Sequence, residues 1–350
     1  MPTIWSGQYV SLGRHGNNHF QPNNQRGSAM RALVFQHAGE AEDVLQLSRH
    51  SIPDPMPGEV RVRVTARPIQ PADRFFIRGQ YRIKPTFPQI AGLEGTGVVD
   101  TSNDPAFHAG ERVAFRWSGT WAEYVTVPAA RLIRVPSDVS DDDACQIALN
   151  PITAWALLEG AQAGPGDWIA LTAGGSTVSA LIALLARARG IRVISLVRGD
   201  VARMATKSNA DITLSVDEPD FPASILQATE SVRISALLDS VGGANTAKLF
   251  GVLRPGARVV AYGAQDASAI PVTNAMLVYQ NLTWVGFGID HWLGGISADQ
   301  YNAMLTSLWQ LIRSGSLPLP VAGRYPLEQA REALQAESNP DRLGKVLLIT

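Results

Sequence analysis

The stretch "TAGGSTVSA", Thr172 to Ala180, places small residues and hydroxyls between an apolar run, "DWIAL", and a small-residue helix, "LIALLARARG". Gly174 and Gly175 let backbone N–H groups approach a pyrophosphate, and Ser176 opens a helix whose N-terminus favours negative charge. Ser179 stands where such a loop carries its last glycine, which serves close helix–strand packing, so serine is expected to loosen that contact without abolishing it. The motif alone reads equally as a strand-to-helix turn. Further on, strand "IRVISLV" leads into Arg198, Gly199 and Asp200. An acidic residue at the end of this strand suits the ribose hydroxyls of NAD, whereas arginine suits the 2′-phosphate of NADP, so NADPH is the expected cofactor. Asp200 reads equally as the N-cap of the next helix.

Strands and helices must position this loop. From Met30 onward, "RALVFQ", "EVRVRVTA", "GTGVVD", "ERVAF" and "AEYVTV" are β-prone runs separated by Gly, Pro and Asp. "VRVRV", Val60 to Val64, alternates as a strand with one buried face does. Near residue 150 the rhythm changes, and "PITAWALLEGAQA" begins an alternation of helices and strands that runs to "LTWVGFG". That alternation predicts an α/β fold with a doubly wound parallel sheet. The last part carries two helices, in "ADQYNAMLTSLWQLIRSG" and "PLEQAREALQA", and the strand "KVLLIT". The expected organisation is a β-rich domain over 30–153 and 290–350, interrupted by a Rossmann-like domain over 154–289. The crevice between them is the expected active site.

Composition narrows the function classes. The 350 residues are 45% hydrophobic and 17% charged with a formal net charge of −1, as expected for a globular protein whose main partner is neither nucleic acid nor an anionic membrane. No apolar run approaches the ~20 residues of a membrane span. A single cysteine, Cys145, rules out an intramolecular disulfide and a multi-cysteine zinc site, and is expected to be a buried structural thiol in a reducing compartment. Residues 1–29 are rich in Asn, Gln, Gly and Ser without an acidic residue, and are expected to be a disordered extension. They lack the apolar core of a secretory signal and make a poor transit peptide. A cytoplasmic location is expected, or the mitochondrial matrix should that segment be a transit peptide.

Several ordered segments resemble the medium-chain dehydrogenase/reductase superfamily: "PIQPADRFFIRGQYRIKPTFPQIAGLEGTGVV", "GERVAF", "GTWAEYVTVP", "NPITAWALL", the glycine loop, "DSVGG", "AYGAQ", "WVGFGIDHW" and "GKVLLIT". The likeness runs from Met30 to Thr350. It implies a GroES-like catalytic domain carrying a Rossmann-like cofactor domain, and a homodimer. The "GHE" of the zinc alcohol dehydrogenases appears here as Gly92–Leu93–Glu94, without the histidine, and the six histidines are scattered, so no metal is expected. The nearest branches are the zinc-independent quinone reductases and the mitochondrial-type 2-enoyl thioester reductases. "GQY" is similar to the segment in which the latter carry a catalytic tyrosine, here Tyr81, and "NPITAW" is similar to their cofactor-reaching asparagine motif, here Asn150.

The resemblance further implies cofactor contacts from Gly175, Ser176, Thr177 and Val178 at the pyrophosphate, and from Arg198 and its neighbours at the adenosine end. Tyr262, Gly263, Ala264, Gln265, Phe287, Gly288 and Ile289 are implied near the nicotinamide, with Lys345 near the cofactor. Read without it, Tyr81 is a loop aromatic, Lys345 an exposed cation at a strand start, and Glu94 a buried ion-pair partner. Gln70 replaces the usual asparagine, and Gly288 replaces a tryptophan, a space that Trp292 partly refills.

Three functions are compatible with these residues. The first is NADPH-dependent reduction of the activated double bond of a 2-enoyl thioester or similar α,β-unsaturated carbonyl. Tyr81 would hydrogen-bond the carbonyl oxygen or supply the proton. The second keeps the site and reduces a quinone. The third is a low-turnover NADPH-binding regulatory or structural protein.

Overall fold

The computed structural model describes residues 29–350. The expectation of a disordered extension concerns residues that lie outside the described ones, save Ala29, which opens the first strand. The chain divides into two compact units, one ending at Leu149 and resuming at Pro318, the other spanning Asn150–Leu317.

The first unit opens with β1 (Ala29–Phe35), α1 (Ala41–Val44), β2 (Gln46–Ser51), β3 (Glu59–Pro68) and α2 (Pro71–Ile77). It continues through β4 (Gln89–Ile90), β5 (Glu94–Ser102), β6 (Arg112–Arg116), β7 (Tyr124–Pro128), β8 (Leu132–Arg134) and α3 (Asp141–Ala144). In β3 the alternation behaves as its pattern requires: Val60, Val62 and Val64 are fully buried, while Arg61 and Arg63 lie on the other face. Burying each valine contributes about 1.5–3 kcal/mol, shared with Val99, Val113, Phe115 and Val127 in one core.

The second unit runs α4 (Asn150–Ala161), β9 (Trp168–Leu171), α5 (Thr177–Ala188), β10 (Arg192–Val197), α6 (Val201–Ser208), β11 (Ile212–Ser215) and α7 (Phe221–Ala228). Then come β12 (Ile234–Asp239), α8 (Gly243–Leu249), β13 (Leu253–Ala261), α9 (Asn274–Gln280), β14 (Thr283–Gly286), α10 (Ile289–Gly295) and α11 (Ala298–Arg313). Its six strands are parallel and ordered β11-β10-β9-β12-β13-β14, so the sheet winds outward in both directions from β9 and β12. This is the doubly wound arrangement, whose ligands bind beyond the carboxyl ends of the strands. β9 and β12 are buried along their whole length, as central strands covered on both faces must be.

The chain then returns to the first unit with β15 (Val321–Pro326), α12 (Ala330–Ser338) and β16 (Lys345–Ile349). β16 pairs antiparallel with β3, closing a seven-stranded sheet from residues far apart in sequence. The return comes at Pro318, later than the sequence suggested, because α10 and α11 pack on α4 within the second unit. Met304, Leu308, Trp309 and Ile312 are the buried residues of α11. Likewise Asn150 begins α4, so the first boundary falls before it. Among the described residues no helix is long and apolar enough to cross a membrane.

Candidate active site

In the second unit the glycine loop joins β9 to α5, at the carboxyl edge of the sheet. Gly174 is pressed against β10: a β-carbon there would lie 2.6 Å from Ser195 Cβ and 2.9 Å from the Leu196 nitrogen. Ala173 is held at a φ of 49°, a left-handed conformation that a β-carbon disfavours. Ser176 caps α5, its hydroxyl accepting the Ser179 N–H at 3.2 Å. The expected loosening at Ser179 is not what the structure shows. Its side chain is fully buried, and its hydroxyl stands 3.0 Å from Ser176 Oγ and 3.1 Å from the carbonyl oxygen of Ala173. Serine thus replaces the close packing of a glycine with hydrogen bonds that tie the helix to the loop. Thr177 and Val178 form the first turn of α5. A loop of small residues against the N-terminus of a 12-residue helix fits a pyrophosphate.

Arg198 and Gly199 follow β10. The Asp200 carboxylate accepts the Arg203 N–H at 3.1 Å and so caps α6, while the Gly199 N–H donates to the Asp217 carboxylate at 2.7 Å, so Arg198 shares the strand end with Asp217. Two strands away, Asp239 ends β12 and organises the neighbouring loop. One of its oxygens accepts from Thr172 Oγ1 at 2.7 Å, Val241 N at 3.1 Å and Gly242 N at 3.2 Å, and the other accepts from Thr246 Oγ1 at 3.0 Å. This clamp joins the ends of β9 and β12. No reading of single motifs assigned it, although "DSVGG" marks its position. Tyr262, Gly263, Ala264 and Gln265 follow β13, and Gly263 lies so close to Ser240 that a β-carbon would meet its carbonyl oxygen at 2.4 Å. The Tyr262 hydroxyl is buried facing Ser240 and Ser179, and burial pushes its pKa up. Phe287 follows β14, its N–H donating to the Ala261 carbonyl at 2.8 Å, and Gly288 and Ile289 begin α10. The structure therefore gathers the loop, Arg198, Tyr262 and Phe287 at one edge of one sheet.

In the first unit, Tyr81 lies just after α2, its backbone N–H donating to the Phe75 carbonyl at 3.0 Å. Half-buried, it packs against the core of Phe35, Phe76 and Leu93. Beside it is an open cleft lined by Tyr81, Ile83, Leu93, Trp117, Ser118 and Leu149 with three arginines, Arg82, Arg116 and Arg131. The Arg82 guanidinium lies 5.6 Å from the Tyr81 ring centre.

Lys345 is buried rather than exposed at its strand start: its ammonium donates to Gln70 Oε1 at 3.3 Å. The other end of the Gln70 amide donates to Glu94, whose second oxygen accepts the Leu149 N–H at 2.7 Å. Asp73 completes this buried polar group by accepting the Gln70 N–H at 2.8 Å. Burial pushes the carboxyl of Glu94 up to about 8 and that of Asp73 to about 7, and lowers Lys345 to about 8. The surroundings of Glu94 do not fit a zinc ion, since N–H donors and an ammonium face it where further anionic or lone-pair ligands would be needed. Among the described residues no group of three or more His, Cys, Asp or Glu is placed to hold a metal. Cys145 is buried, as expected, and burial raises its pKa.

A doubly wound unit with a small-residue loop at its sheet edge, carried by a chain whose other unit is a β-rich fold with a tyrosine-lined cleft, defines a nucleotide-dependent oxidoreductase. Comparison with known proteins gives the family. The model described as "Alcohol dehydrogenase GroES-like domain" matches residues 56–137, and that described as "Zinc-binding dehydrogenase" matches 208–348. Mitochondrial enoyl-[acyl-carrier-protein] reductase of Xenopus tropicalis is 30% identical, over 92% of this chain and 95% of the relative. Its Homo sapiens counterpart is 29% identical, over 91% and 88%. Among solved structures, a mycobacterial quinone oxidoreductase superposes with a TM-score of 0.81 at 25% identity, covering 92% of this chain and 100% of its own. A mycobacterial protein complexed with NADPH superposes at 0.79 with 26% identity and the same coverage. The chain belongs to the medium-chain dehydrogenase/reductase superfamily, on the branch holding mitochondrial enoyl reductases and quinone oxidoreductases.

Proposed function

We propose that this protein is an NADPH-dependent reductase of the activated carbon–carbon double bond in 2-enoyl thioesters or similar α,β-unsaturated carbonyls. The observation that carries this reading is the cleft beside Tyr81, whose walls of Ile83, Leu93, Trp117 and Leu149 suit an acyl chain next to a phenol. The enoyl-[acyl-carrier-protein] reductases among its relatives and the NADPH complex among its structural neighbours support it.

Gly175, Ser176, Thr177 and Val178 would hold the cofactor pyrophosphate, and Arg198, with Gly199 and Asp200 beside it, the 2′-phosphate end. Tyr262, Gly263, Ala264, Gln265, Phe287, Gly288, Ile289 and Asn150 would bound the nicotinamide end. When bound, NADPH supplies the hydride that adds to the β-carbon of the acceptor. Tyr81 would donate a hydrogen bond to the acceptor carbonyl oxygen, stabilising the negative charge that develops there, or supply the proton. Lys345 acts through Gln70 on the buried polar group. A second copy of the chain would pair along β14, one of the two edge strands of the parallel sheet, near which Val278 and Tyr279 of α9 are 69% and 85% exposed. A reducing compartment, cytoplasm or mitochondrial matrix, suits the single buried thiol.

The test is NADPH oxidation by the purified protein with crotonyl-CoA and a longer 2-enoyl-CoA, beside 1,4-benzoquinone and 9,10-phenanthrenequinone, with NADH as cofactor control. Turnover of the thioesters with NADPH supports the reading. Turnover of quinones alone assigns the protein to the quinone reductases. NADPH binding with no turnover of any acceptor favours a regulatory or structural role.

A further inference from the structure

We propose that Thr172 is a positioning residue for the nicotinamide end of the cofactor, although it stands at the start of the pyrophosphate loop. This rests on reading that edge of the parallel sheet as the NADPH site, and not on the identity of the acceptor. The paired register of β9 and β12 ends with Leu171 and Leu238, after which the Thr172 N–H makes a last bond to the Leu238 carbonyl at 3.2 Å. Beyond it the two chains part, one into the glycine loop and the other into the loop after β12. The Thr172 hydroxyl bridges them at this fork. It donates to Asp239 Oδ1 at 2.7 Å and accepts the Ser240 N–H at 2.8 Å. Thr172, Asp239 and Ser240 are all buried, so bulk water does not compete for these bonds.

The carboxylate does not depend on this bond for partners, because Asp239 also accepts from Val241 N, Gly242 N and the Thr246 hydroxyl. What Thr172 adds is a cross-link between two loops that would hold different parts of one ligand. The loop after β12 in turn seats the loop after β13. The Tyr262 N–H donates to the Asp239 carbonyl at 2.8 Å, the Gln265 N–H to the Ser240 carbonyl at 3.4 Å, and the Asp266 N–H to the Val241 carbonyl at 2.8 Å. Gly263 lies against Ser240 too closely for a β-carbon to fit. The path from the pyrophosphate loop to the nicotinamide side is therefore one hydroxyl followed by backbone bonds. Without that hydroxyl the second and third loops can shift together relative to the first. Hydride transfer is sensitive to such a shift, since near-attack geometry tolerates little displacement.

The test measures the binding of three ligands to the full chain by calorimetry. They are adenosine 2′-monophosphate, 2′-phospho-ADP-ribose, which adds the pyrophosphate, and NADPH, which adds the nicotinamide. Thr172→Val keeps the shape of the side chain and removes the hydroxyl. It weakens NADPH about tenfold, as the loss of one hydrogen bond to a charged group can give. It weakens 2′-phospho-ADP-ribose less and leaves adenosine 2′-monophosphate unchanged. The fluorescence anisotropy of bound NADPH falls, because the nicotinamide is held less firmly. Thr172→Ser restores both readouts. Thr246→Val removes the other hydroxyl on Asp239, and lowers the melting temperature without changing the ratio of NADPH to 2′-phospho-ADP-ribose affinity. Should Thr172→Val fail to fold, hydrogen exchange in the wild type decides: 2′-phospho-ADP-ribose, which carries no nicotinamide, slows exchange across residues 262–266. Equal weakening of NADPH and 2′-phospho-ADP-ribose, weakening of all three ligands, the same response from Thr246→Val, no recovery with serine, or unchanged exchange at 262–266 would overturn the proposal. A wild type that binds none of the three ligands defeats the cofactor reading and the proposal with it. Tight NADPH binding with an unchanged affinity ratio in Thr172→Val defeats the proposal alone.

Discussion

The carboxylate of Glu94 accepts the backbone N–H of Leu149 at 2.7 Å, so a fully buried acid holds the residue at which the chain leaves the first unit for the second. Its other oxygen takes the Gln70 amide, which Lys345 holds from the far side. Leu149 also lines the cleft beside Tyr81. Glu94 thus fixes one wall of the candidate acceptor site.

That burial makes stability depend on pH in a definite direction. Glu94 moves from 4.5 when exposed to about 8 in the fold. Between those values the native state keeps a proton that the unfolded chain has released, so stability falls as pH rises through the window. Asp73, raised to about 7, acts in the same sense at somewhat lower pH. Lys345, lowered to about 8, acts in the opposite sense, but only above that value, where the unfolded chain holds the extra proton. The melting temperature of the wild type therefore declines between pH 5 and 8, and Glu94→Gln flattens the decline. Parallel profiles for the two proteins would show that Glu94 does not titrate in this way.

Ser179 and Gly174 make separable contributions to the loop. Ser179→Ala removes a hydroxyl that bonds Ser176 and the Ala173 carbonyl, and costs about 1 kcal/mol of stability together with a several-fold loss of NADPH affinity. Gly174→Ala forces a β-carbon onto β10 and costs about 1–3 kcal/mol. Gly175→Ala costs less, because its new carbon meets only the flexible end of Met204. Urea denaturation and titration of cofactor fluorescence check the three in turn. Equal destabilisation by the two glycine variants would contradict the described packing.

Arg67 is a buried structural anchor outside the site. Fully buried, it donates to the carbonyl oxygens of Thr120 at 2.9 Å and Ala122 at 2.5 Å and to the Thr350 hydroxyl at 2.8 Å, joining β16 and the segment before β7 to β3. Burial lowers its pKa to about 9. Arg67→Met leaves those carbonyls without donors and is expected to cost about 3 kcal/mol or more. A melting temperature within 2–4 °C of wild type, roughly the shift from 1 kcal/mol in a large domain, would contradict this assignment.

The doubly wound sheet was legible because each of its strands is an apolar run followed by a helix, and β3 because its valines alternate with arginines. β2, "QLSRHS", was not, since it pairs along β1 with mostly exposed side chains and no alternation to mark it. The late return to the first unit was hidden because α11 looks like any amphipathic helix until its partner, α4, is seen. The glycine loop could be read from residue types, but the effect of Ser179 could not: sequence gives the size of its side chain and not the carbonyl within its reach. Without the resemblance Lys345 reads as an exposed cation, and its burial was not legible for the same reason, its partners Gln70, Asp73 and Glu94 being some 250 to 275 positions away. The arginines of the cleft come from three segments and form no motif.

The most direct test of the account is the turnover of crotonyl-CoA by Tyr81→Phe, measured alongside NADPH affinity. The expected kcat is lower by about 10²-fold, the usual contribution of a positioned acid, with the NADPH dissociation constant unchanged. Undiminished kcat would remove Tyr81 from the chemistry and with it the proposed site of reduction.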